Sequence, residues 1–288
     1  MNSSTGPVFV RGFMQHEGRS WMLAKRILSS LVLIPILYII VWHLPPGYFV
    51  ILAMIATGIS QFEFYRMSLV RGLRPLAITG IVLGILLVLN FARPIFPELG
   101  IGFVITFALL AIMLVRLFSP RTVEGSLEEI SITFFGLFYV ALLFGFQVAI
   151  RLEIMDGKQW LFFMYLVIWA SDAGAYFVGN AIGRHRLYEK ISPKKSMEGL
   201  AGGMLAAVGA AFLCRAWFIP SVGIQEAVAL GVLLTVSGVA GDLVESLFKR
   251  GVGIKDVSNL IPGHGGLLDR LDSMLFSAPV LFYYLVLR

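Results

Sequence analysis

Apolar and polar residues alternate along this chain in long blocks. Several apolar runs reach the ~18–20 residues that an α-helix needs to cross the hydrocarbon core of a bilayer. Short stretches rich in Gly, Pro, Lys or Arg separate these runs. The pattern predicts nine spans, at residues 27–44, 48–65, 75–92, 99–118, 130–150, 160–182, 199–220, 225–247 and 267–287.

Composition supports an all-α polytopic membrane protein and excludes a soluble globular domain. Of 288 residues, 58% are hydrophobic and only 14% are charged, far from the balance of a soluble domain. The apolar run that follows the polar first 26 residues is too long for a signal peptide, so we interpret it as a retained first span. The single cysteine, Cys214, cannot form an intrachain disulfide.

The distribution of Lys and Arg predicts the orientation of the chain. With nine spans and the amino terminus in the cytoplasm, 18 of the 23 basic residues fall on the cytoplasmic side, as the positive-inside rule requires. The net charge of +6 therefore indicates topology, and we predict no nucleic-acid partner. The polar connector between the last two spans lies on the cytoplasmic side in this arrangement, where nucleotides are available.

The two halves of the chain differ in their polar content. We divide it into a cytoplasmic tail (1–26), an N-terminal transmembrane scaffold half (27–156) and a C-terminal transmembrane catalytic half (157–288). The scaffold half is chemically plain. Its one acid near the membrane, Glu63, is interpreted as a helix-end residue paired with Arg66 at i+3.

The sixth predicted span carries an aspartate where hydrocarbon disfavours one. Asp172, Tyr176 and Gly179 follow at i, i+4 and i+7, so they share a helix face. A charged Asp at that depth costs ~2.5–3.5 kcal/mol and is expected to face a polar cavity or a partner. The alternative is a structural Asp that is hydrogen-bonded to a neighbouring helix.

A basic loop follows, and it leads into a Gly-rich helix. Ser192 and Pro193 fit an N-cap and a first helical position. Lys194 and Lys195 are then candidates for holding phosphate oxygens, although cations here also serve topology or contact anionic lipid. The glycines at 199, 202 and 203 are expected to let helices approach closely.

The stretch from Asp242 to Asp272 organises the chain. Asp242, Glu245, Ser246 and Lys249 lie at i, i+3, i+4 and i+7, on one helix face, and Asp269 and Asp272 repeat the i, i+3 spacing. Between them, residues 262–266 (Pro-Gly-His-Gly-Gly) predict a loop. Clustered carboxylates favour Mg²⁺ bound together with substrate phosphates. An internal network of salt bridges is the competing interpretation.

The residues from Ser246 to Asp272, SLFKRGVGIKDVSNLIPGHGGLLDRLD, resemble the signature of the phosphatidate cytidylyltransferase family, the CDP-diacylglycerol synthases. All 27 positions fit that signature. The segments SDAGAYFVGNAIGRH and ISPKKSMEG are similar to upstream family motifs, with two departures at Asn180 and Ser196. The resemblance covers residues 170–275 closely and the earlier spans only in general character.

This resemblance implies an enzyme that joins CTP to phosphatidic acid with Mg²⁺, in a bacterial plasma (inner) membrane, with its active site facing the cytoplasm. Asp242 and Asp269 would hold the metal. The implied catalytic residues are Asp242, Ser246, Lys249, Asp269 and Asp272. The implied substrate-binding residues are Asp172, Tyr176, Ser192, Lys194, Lys195, Glu198, Arg250, Lys255, Asp256, His264, Gly265, Gly266 and Arg270.

Other functions and assemblies remain open at this point. Another CTP-dependent lipid enzyme, such as a polyprenol kinase or a cytidylyltransferase for a different lipid, would share the metal site. An ion-coupled transporter would show an internal repeat with broken helices in both halves, whereas the charge here is concentrated in one half. A homodimer within the lipid bilayer is one expected assembly.

Overall fold

A computed structural model describes residues 31–94, 97–258 and 265–288. The helices are α1 (Leu31–Trp42), α2 (Pro46–Leu69), α3 (Ala77–Ala92), α4 (Gly100–Leu117), α5 (Ser126–Gly136), α6 (Leu143–Glu153), α7 (Gly157–Ile182), α8 (Met197–Trp217), α9 (Ile224–Gly251) and α10 (Leu268–Leu287). A π-helical segment, Leu137–Leu142, joins α5 to α6, so that Ser126–Glu153 is one continuous helix.

Seven of the described helices are long and apolar enough to cross a membrane, and α1 and α3 are shorter apolar helices. The ends of the seven long helices lie within four residues of the predicted spans. Their exposed sides carry large apolar residues such as Ile55, Leu110 and Leu213, which suits contact with lipid. The chain is therefore an integral membrane protein.

One short element departs from the all-α prediction. Strands β1 (Arg186–Tyr188) and β2 (Ser192–Ser196) pair in antiparallel register between α7 and α8. The prediction that Ser192 caps the following helix is wrong, because Ser192 begins β2. Ser196 is the cap instead, and its Oγ accepts the Gly199 N–H at 3.1 Å.

Helices α7 and α8 pack closely, and small residues make this possible. A Cβ at Gly202 would strike the Val178 side chain, and one at Gly203 would meet the backbone and side chain of Ser171. The predicted role of these glycines in close helix approach is confirmed. Gly241 acts similarly in α9, where an added Cβ would strike the Asp272 carbonyl of α10. The two helix pairs, α7–α8 and α9–α10, thereby bring their polar faces together.

The amino-terminal half contains more buried polar contacts than its sequence predicts. Within α2, Gln61 and Glu63 are buried. The Gln61 side chain donates to the Gly80 carbonyl at 3.2 Å, which ties α2 to α3. The Tyr65 hydroxyl donates to the Thr133 carbonyl at 2.8 Å, which ties α2 to α5. Polar contacts thus fix α2 within the bundle, and this placement matters for the site below.

Candidate active site

A cavity of about 570 Å³ lies among α7, α8, α9, α10 and the β-hairpin. Charged side chains of both signs line it, although the surrounding helices are largely apolar. They are Asp172, Asp242, Asp256, Asp269, Asp272, Lys194, Lys195, Lys249 and Arg270. All nine were predicted site residues, and the fold collects them from five separate stretches of chain.

Helix α7 contributes the face predicted from its spacing. Asp172, Tyr176 and Gly179 all line the cavity, because residues at i, i+4 and i+7 point the same way from a helix. Trp169, three residues before Asp172, lines it too. The same-face argument extended one turn backward would have found it. Asn180, where the sequence departs from the family pattern, also lines the cavity.

The hairpin supplies cations to this cavity. Lys194 and Lys195 lie on β2, and Lys195 forms an ion pair with Asp242 of α9. Ser246, one turn along α9, donates its hydroxyl to Asp242 Oδ1 at 3.3 Å. Asp242 is thus oriented by a lysine and a hydroxyl from two different elements.

Lys249 connects α9 to α10 through two ion pairs. Its Nζ lies 2.8 Å from Glu245 Oε2 and 2.5 Å from Asp269 Oδ1. The Lys249 side chain is 11% exposed and that of Glu245 is 0% exposed, so solvent screens these charges weakly. The salt-bridge interpretation is therefore correct for this part of the cluster. It does not exclude the site, because Lys249 and Asp269 also line the cavity.

The start of α10 presents two carboxylates at i and i+3. Asp269 Oδ2 accepts the Gly266 N–H at 2.9 Å, which leaves Oδ1 for Lys249. Asp272 is buried, and its Oδ1 accepts the Ser273 N–H at 2.5 Å. Asp269 is held by the backbone just before α10 and Asp272 by the backbone of α10 itself, so both positions follow from where α10 begins.

Several predicted site residues do not belong to the described lining of the cavity. They are Ser192, Glu198, Ser246, Arg250, Lys255, Gly265 and Gly266. Glu198 accepts the backbone N–H groups of Arg184 and His185 at 3.1 and 3.2 Å, so it closes the turn after α7. Arg250 donates to the Ile191 and Ile254 carbonyls and joins α9 to the hairpin.

The glycine pair has a conformational role in the structure. Gly265 has φ of +84°, a left-handed conformation that favours glycine. A Cβ at Gly266 would lie 3.0 Å from Glu63 Oε2 and 3.1 Å from Asp269 Oδ2. Two carboxylates therefore meet at Gly266, and a larger residue there would have to displace one of them by a few tenths of an ångström. Lys255 is exposed beside the site, and the prediction for His264 lies outside the described residues.

Sequence reasoning missed Glu63. The predicted pairing with Arg66 is wrong: Glu63 is buried and Arg66 is exposed. Glu63 instead accepts from two N–H groups at the start of α10 and from the Ser258 hydroxyl. An acid surrounded by apolar residues was the available signal. The signal was not followed, because Arg66, three residues away, provided a local partner that explained the acid.

The charged residues suit a divalent cation that arrives with a phosphate ligand. Across the described ranges, no three His, Cys, Asp or Glu side chains form a ready-made metal site. Asp242 and Asp269 each present carboxylate oxygens to the same cavity and each hold a lysine. Mg²⁺ is commonly bound by one or two carboxylates plus phosphate oxygens and water. The donor set fits that mode and does not fit a closed zinc site.

Comparison with known proteins adds independent observations. A family model described as "Cytidylyltransferase family" matches residues 24–288. A Bacillus subtilis protein named phosphatidate cytidylyltransferase is 32% identical over 272 residues, covering 92% of this chain and 98% of the relative. A Synechocystis protein of the same name is 33% identical over 297 residues, covering 92% of this chain and 97% of the relative. A Haemophilus influenzae protein of that name is 42% identical over 137 residues, 46% of this chain and 48% of its own length.

Proposed function

The chain belongs to the cytidylyltransferase family, and from this premise we infer that it transfers the cytidylyl group of CTP to phosphatidic acid. The products are CDP-diacylglycerol and pyrophosphate. The observation that carries this inference is the similarity to two phosphatidate cytidylyltransferases over 92% of the chain. These relatives favour nucleotidyl transfer to phosphatidate over the polyprenol kinase and transporter alternatives.

The reaction asks for alignment and charge neutralisation. An oxygen of the lipid phosphate attacks the α-phosphorus of CTP, a new P–O bond forms, and the bond to the β-phosphate breaks to release pyrophosphate. A phosphate monoester is already anionic at neutral pH, so no general base is needed. Both substrates are polyanions, and their mutual repulsion is the main obstacle. Lys194, Lys195, Lys249 and Arg270 line the cavity and are the described cations available to offset it.

Asp242 and Asp269 are the residues we propose as ligands for Mg²⁺. When bound, Mg²⁺ would neutralise phosphate charge and orient the α-phosphate for in-line attack. Each of these aspartates holds a lysine, Lys195 and Lys249 respectively. Both lysines line the cavity in which the phosphates would bind. Each lysine could therefore exchange its aspartate for a phosphate oxygen by a movement of its side chain alone.

We further propose a nine-span topology with the amino terminus in the cytoplasm of a bacterial cell and the cavity open to that side. Helix α3 has 16 residues, about 24 Å at 1.5 Å per residue, which approaches the hydrocarbon thickness. The strong excess of cytoplasmic Lys and Arg supports this orientation. CTP would enter from the cytoplasm and the lipid headgroup from the side. A homodimer and the lack of a nucleic-acid partner stay predictions.

The experiment that tests the function is a product assay on the purified protein in detergent micelles, with phosphatidic acid, Mg²⁺ and CTP labelled at the α-phosphate. Labelled lipid and pyrophosphate in equal amounts are expected. A second reaction contains an isoprenoid alcohol and CTP labelled at the γ-phosphate. If that label passes to the alcohol and the α-label is recovered in CDP, the protein is a kinase and the proposal fails. If labelled lipid forms only when an acceptor other than phosphatidate is supplied, the reaction type stands and the proposed acceptor is wrong.

A further inference from the structure

Glu63 of α2 contacts the beginning of α10 from the opposite half of the chain. Its Oε2 accepts the Leu268 N–H at 2.8 Å and its Oε1 accepts the Leu267 N–H at 3.2 Å. The Ser258 hydroxyl, on the other side of the connector, also donates to Oε1. Glu63 is 2% exposed, so this carboxylate is held by protein groups in a weakly screened environment.

These contacts replace a helix cap that the local sequence lacks. The first N–H groups of a helix have no partner within the helix and need an external acceptor. The residue before α10 is Leu267, which has no side-chain oxygen, and α10 has no side-chain cap of its own at that position. The N–H groups of residues 266, 267 and 268 are satisfied by two carboxylates, with Asp269 taking the first and Glu63 the other two.

This division leaves one oxygen of Asp269 directed toward the cavity. An aspartate in the first turn of a helix readily bonds free N–H groups there. Without Glu63, two unsatisfied N–H groups would lie beside Asp269, whose Oδ2 is already bonded to this turn. The Asp269 carboxylate would then be drawn toward the helix start and away from Lys249 and the cavity.

We propose that Glu63 is a positioning residue of the active site: it caps α10 in place of Asp269, so that Asp269 Oδ1 stays beside Lys249 at the cavity, where it can bind a metal ion. The proposal rests on the proposed function in assigning Asp269 to a metal. On this proposal, the amino-terminal half contributes a residue that positions the active site.

The test compares Glu63→Gln with the same substitution at Glu129. Glu129 is also a buried acid of the amino-terminal half, 8% exposed and paired with Arg116 at 2.8 Å, but it lies outside the described lining of the cavity. Binding of Mn²⁺ alone, followed by the loss of its free-ion signal in electron paramagnetic resonance, gives a readout that is independent of turnover. The Mg²⁺ concentration for half-maximal transfer is measured in parallel.

We expect Glu63→Gln to weaken Mn²⁺ binding and raise the Mg²⁺ requirement by roughly 10-fold, the lower end of the effect seen for groups that orient metal ligands. Glu129→Gln should leave both values within about 2-fold of the wild type, whatever it does to stability. A folded Glu63→Gln protein with wild-type values for both would overturn the proposal. If wild-type protein binds Mn²⁺ too weakly to detect, the Mg²⁺ requirement decides.

Ser258→Ala covers the case in which Glu63→Gln does not fold. It removes one of the three groups that hold Glu63 and leaves the carboxylate in place. A change of about 2–3-fold in the same direction is expected, and no change would overturn the proposal. Failure of the wild-type protein to transfer label to phosphatidate would refute the proposed function instead, and the Mn²⁺ comparison would still decide the role of Glu63.

Discussion

Lys249 both stabilises the fold through two ion pairs and lines the candidate active site. It lies between Glu245 and Asp269, with side-chain exposures of 11%, 0% and 10%. Removing one partner of a buried ion pair leaves an uncompensated charge, which costs more than the pair itself contributes. From sequence, Lys249 is expected to matter more for phosphate binding than for folding. The structure adds a role in folding, because the buried Glu245 and the half-buried Asp269 both pair with Lys249.

We therefore expect Lys249→Met to lower the free energy of unfolding by roughly 3–5 kcal/mol, measured by unfolding in mixed detergent micelles. Adding Glu245→Gln should recover part of this loss, since it removes one of the two stranded charges. The coupling between the two changes should be about 0.5–3 kcal/mol. Strictly additive effects would show that the Lys249–Glu245 contact carries no such energy.

On the proposed function, we expect Asp269 to serve the reaction more than the fold, since a neutral replacement can keep its contact with the Gly266 N–H and leaves Lys249 paired with Glu245. Asp269→Asn should reduce transfer by at least about 100-fold at saturating Mg²⁺, with a normal amount of protein in the membrane. Glu128→Gln, at an exposed acid of α5, is the matched control and should keep full activity. Retained turnover in Asp269→Asn would contradict a metal role.

At the scale of elements, the α7–α8 contact depends on small residues at specific positions. Gly203 and Gly209 lie on the same helix, but a Cβ at Gly203 would lie 2.9 Å from the Ser171 carbonyl, whereas one at Gly209 meets open space. Since α7 carries Asp172 and α8 follows directly from β2, any separation of these helices would also widen the cavity.

We expect Gly203→Ala to destabilise the protein by roughly 1–3 kcal/mol, the usual cost of forcing atoms into a packed contact. Gly209→Ala should be neutral or stabilising by up to about 1 kcal/mol, because alanine favours the helix. Thermal stability of the two variants in the same detergent provides the comparison. Equal destabilisation by both would mean that the close approach of α7 and α8 is unimportant.

The elements were predictable from sequence to the extent that local physics decides them. Apolar run length sets where helices can cross a bilayer, and the i, i+4, i+7 spacing places Asp172, Tyr176 and Gly179 on one side of α7. The hairpin was not predicted, because Ser192 and Pro193 also fit a helix start. Its pairing of Tyr188 with Ser192 depends on a turn that those residues do not signal.

Partner choice within the site could not be predicted, since it depends on how distant helices dock. The spacing put Glu245 and Lys249 on one face, but nothing local shows that Lys249 also reaches Asp269 on another helix. The hydrogen bonds from the Leu267 and Leu268 N–H groups to Glu63 could not be predicted for the same reason. Sequence reasoning pairs a charged residue with the nearest opposite charge. Every residue except proline has a backbone N–H group, so the sequence does not show which of these groups will bind a carboxylate.

At the scale of the whole molecule, the orientation of the bundle is open to a direct test. The single cysteine, Cys214, is buried, so labelling sites can be introduced on a Cys214→Ala background. Glu189 and Ser221 are exposed and flank α8 at opposite ends. The nine-span topology puts Glu189 in the cytoplasm and Ser221 outside, because α8 crosses the membrane between them.

In intact spheroplasts, a membrane-impermeant maleimide should label the Ser221→Cys protein and should label the Glu189→Cys protein only after permeabilisation. The reverse pattern would invert the topology and put the cavity on the wrong side for cytoplasmic CTP. Labelling of both positions in intact cells would mean that α8 does not cross the membrane. The activity of each variant, measured in parallel, shows whether its fold is intact.

The capping of α10 by Glu63 has a consequence for how the protein is made. The two partners lie 205 residues apart, and a chain is synthesised from its amino terminus. While α3 to α9 are being inserted, α2 holds a carboxylate in the membrane without the N–H groups that later bind it, a costly arrangement in hydrocarbon. An incomplete chain therefore differs from a complete one by an unpartnered carboxylate in the membrane. We expect chains halted before α10 to be degraded faster than complete ones in pulse–chase experiments, and Glu63→Gln to slow that degradation.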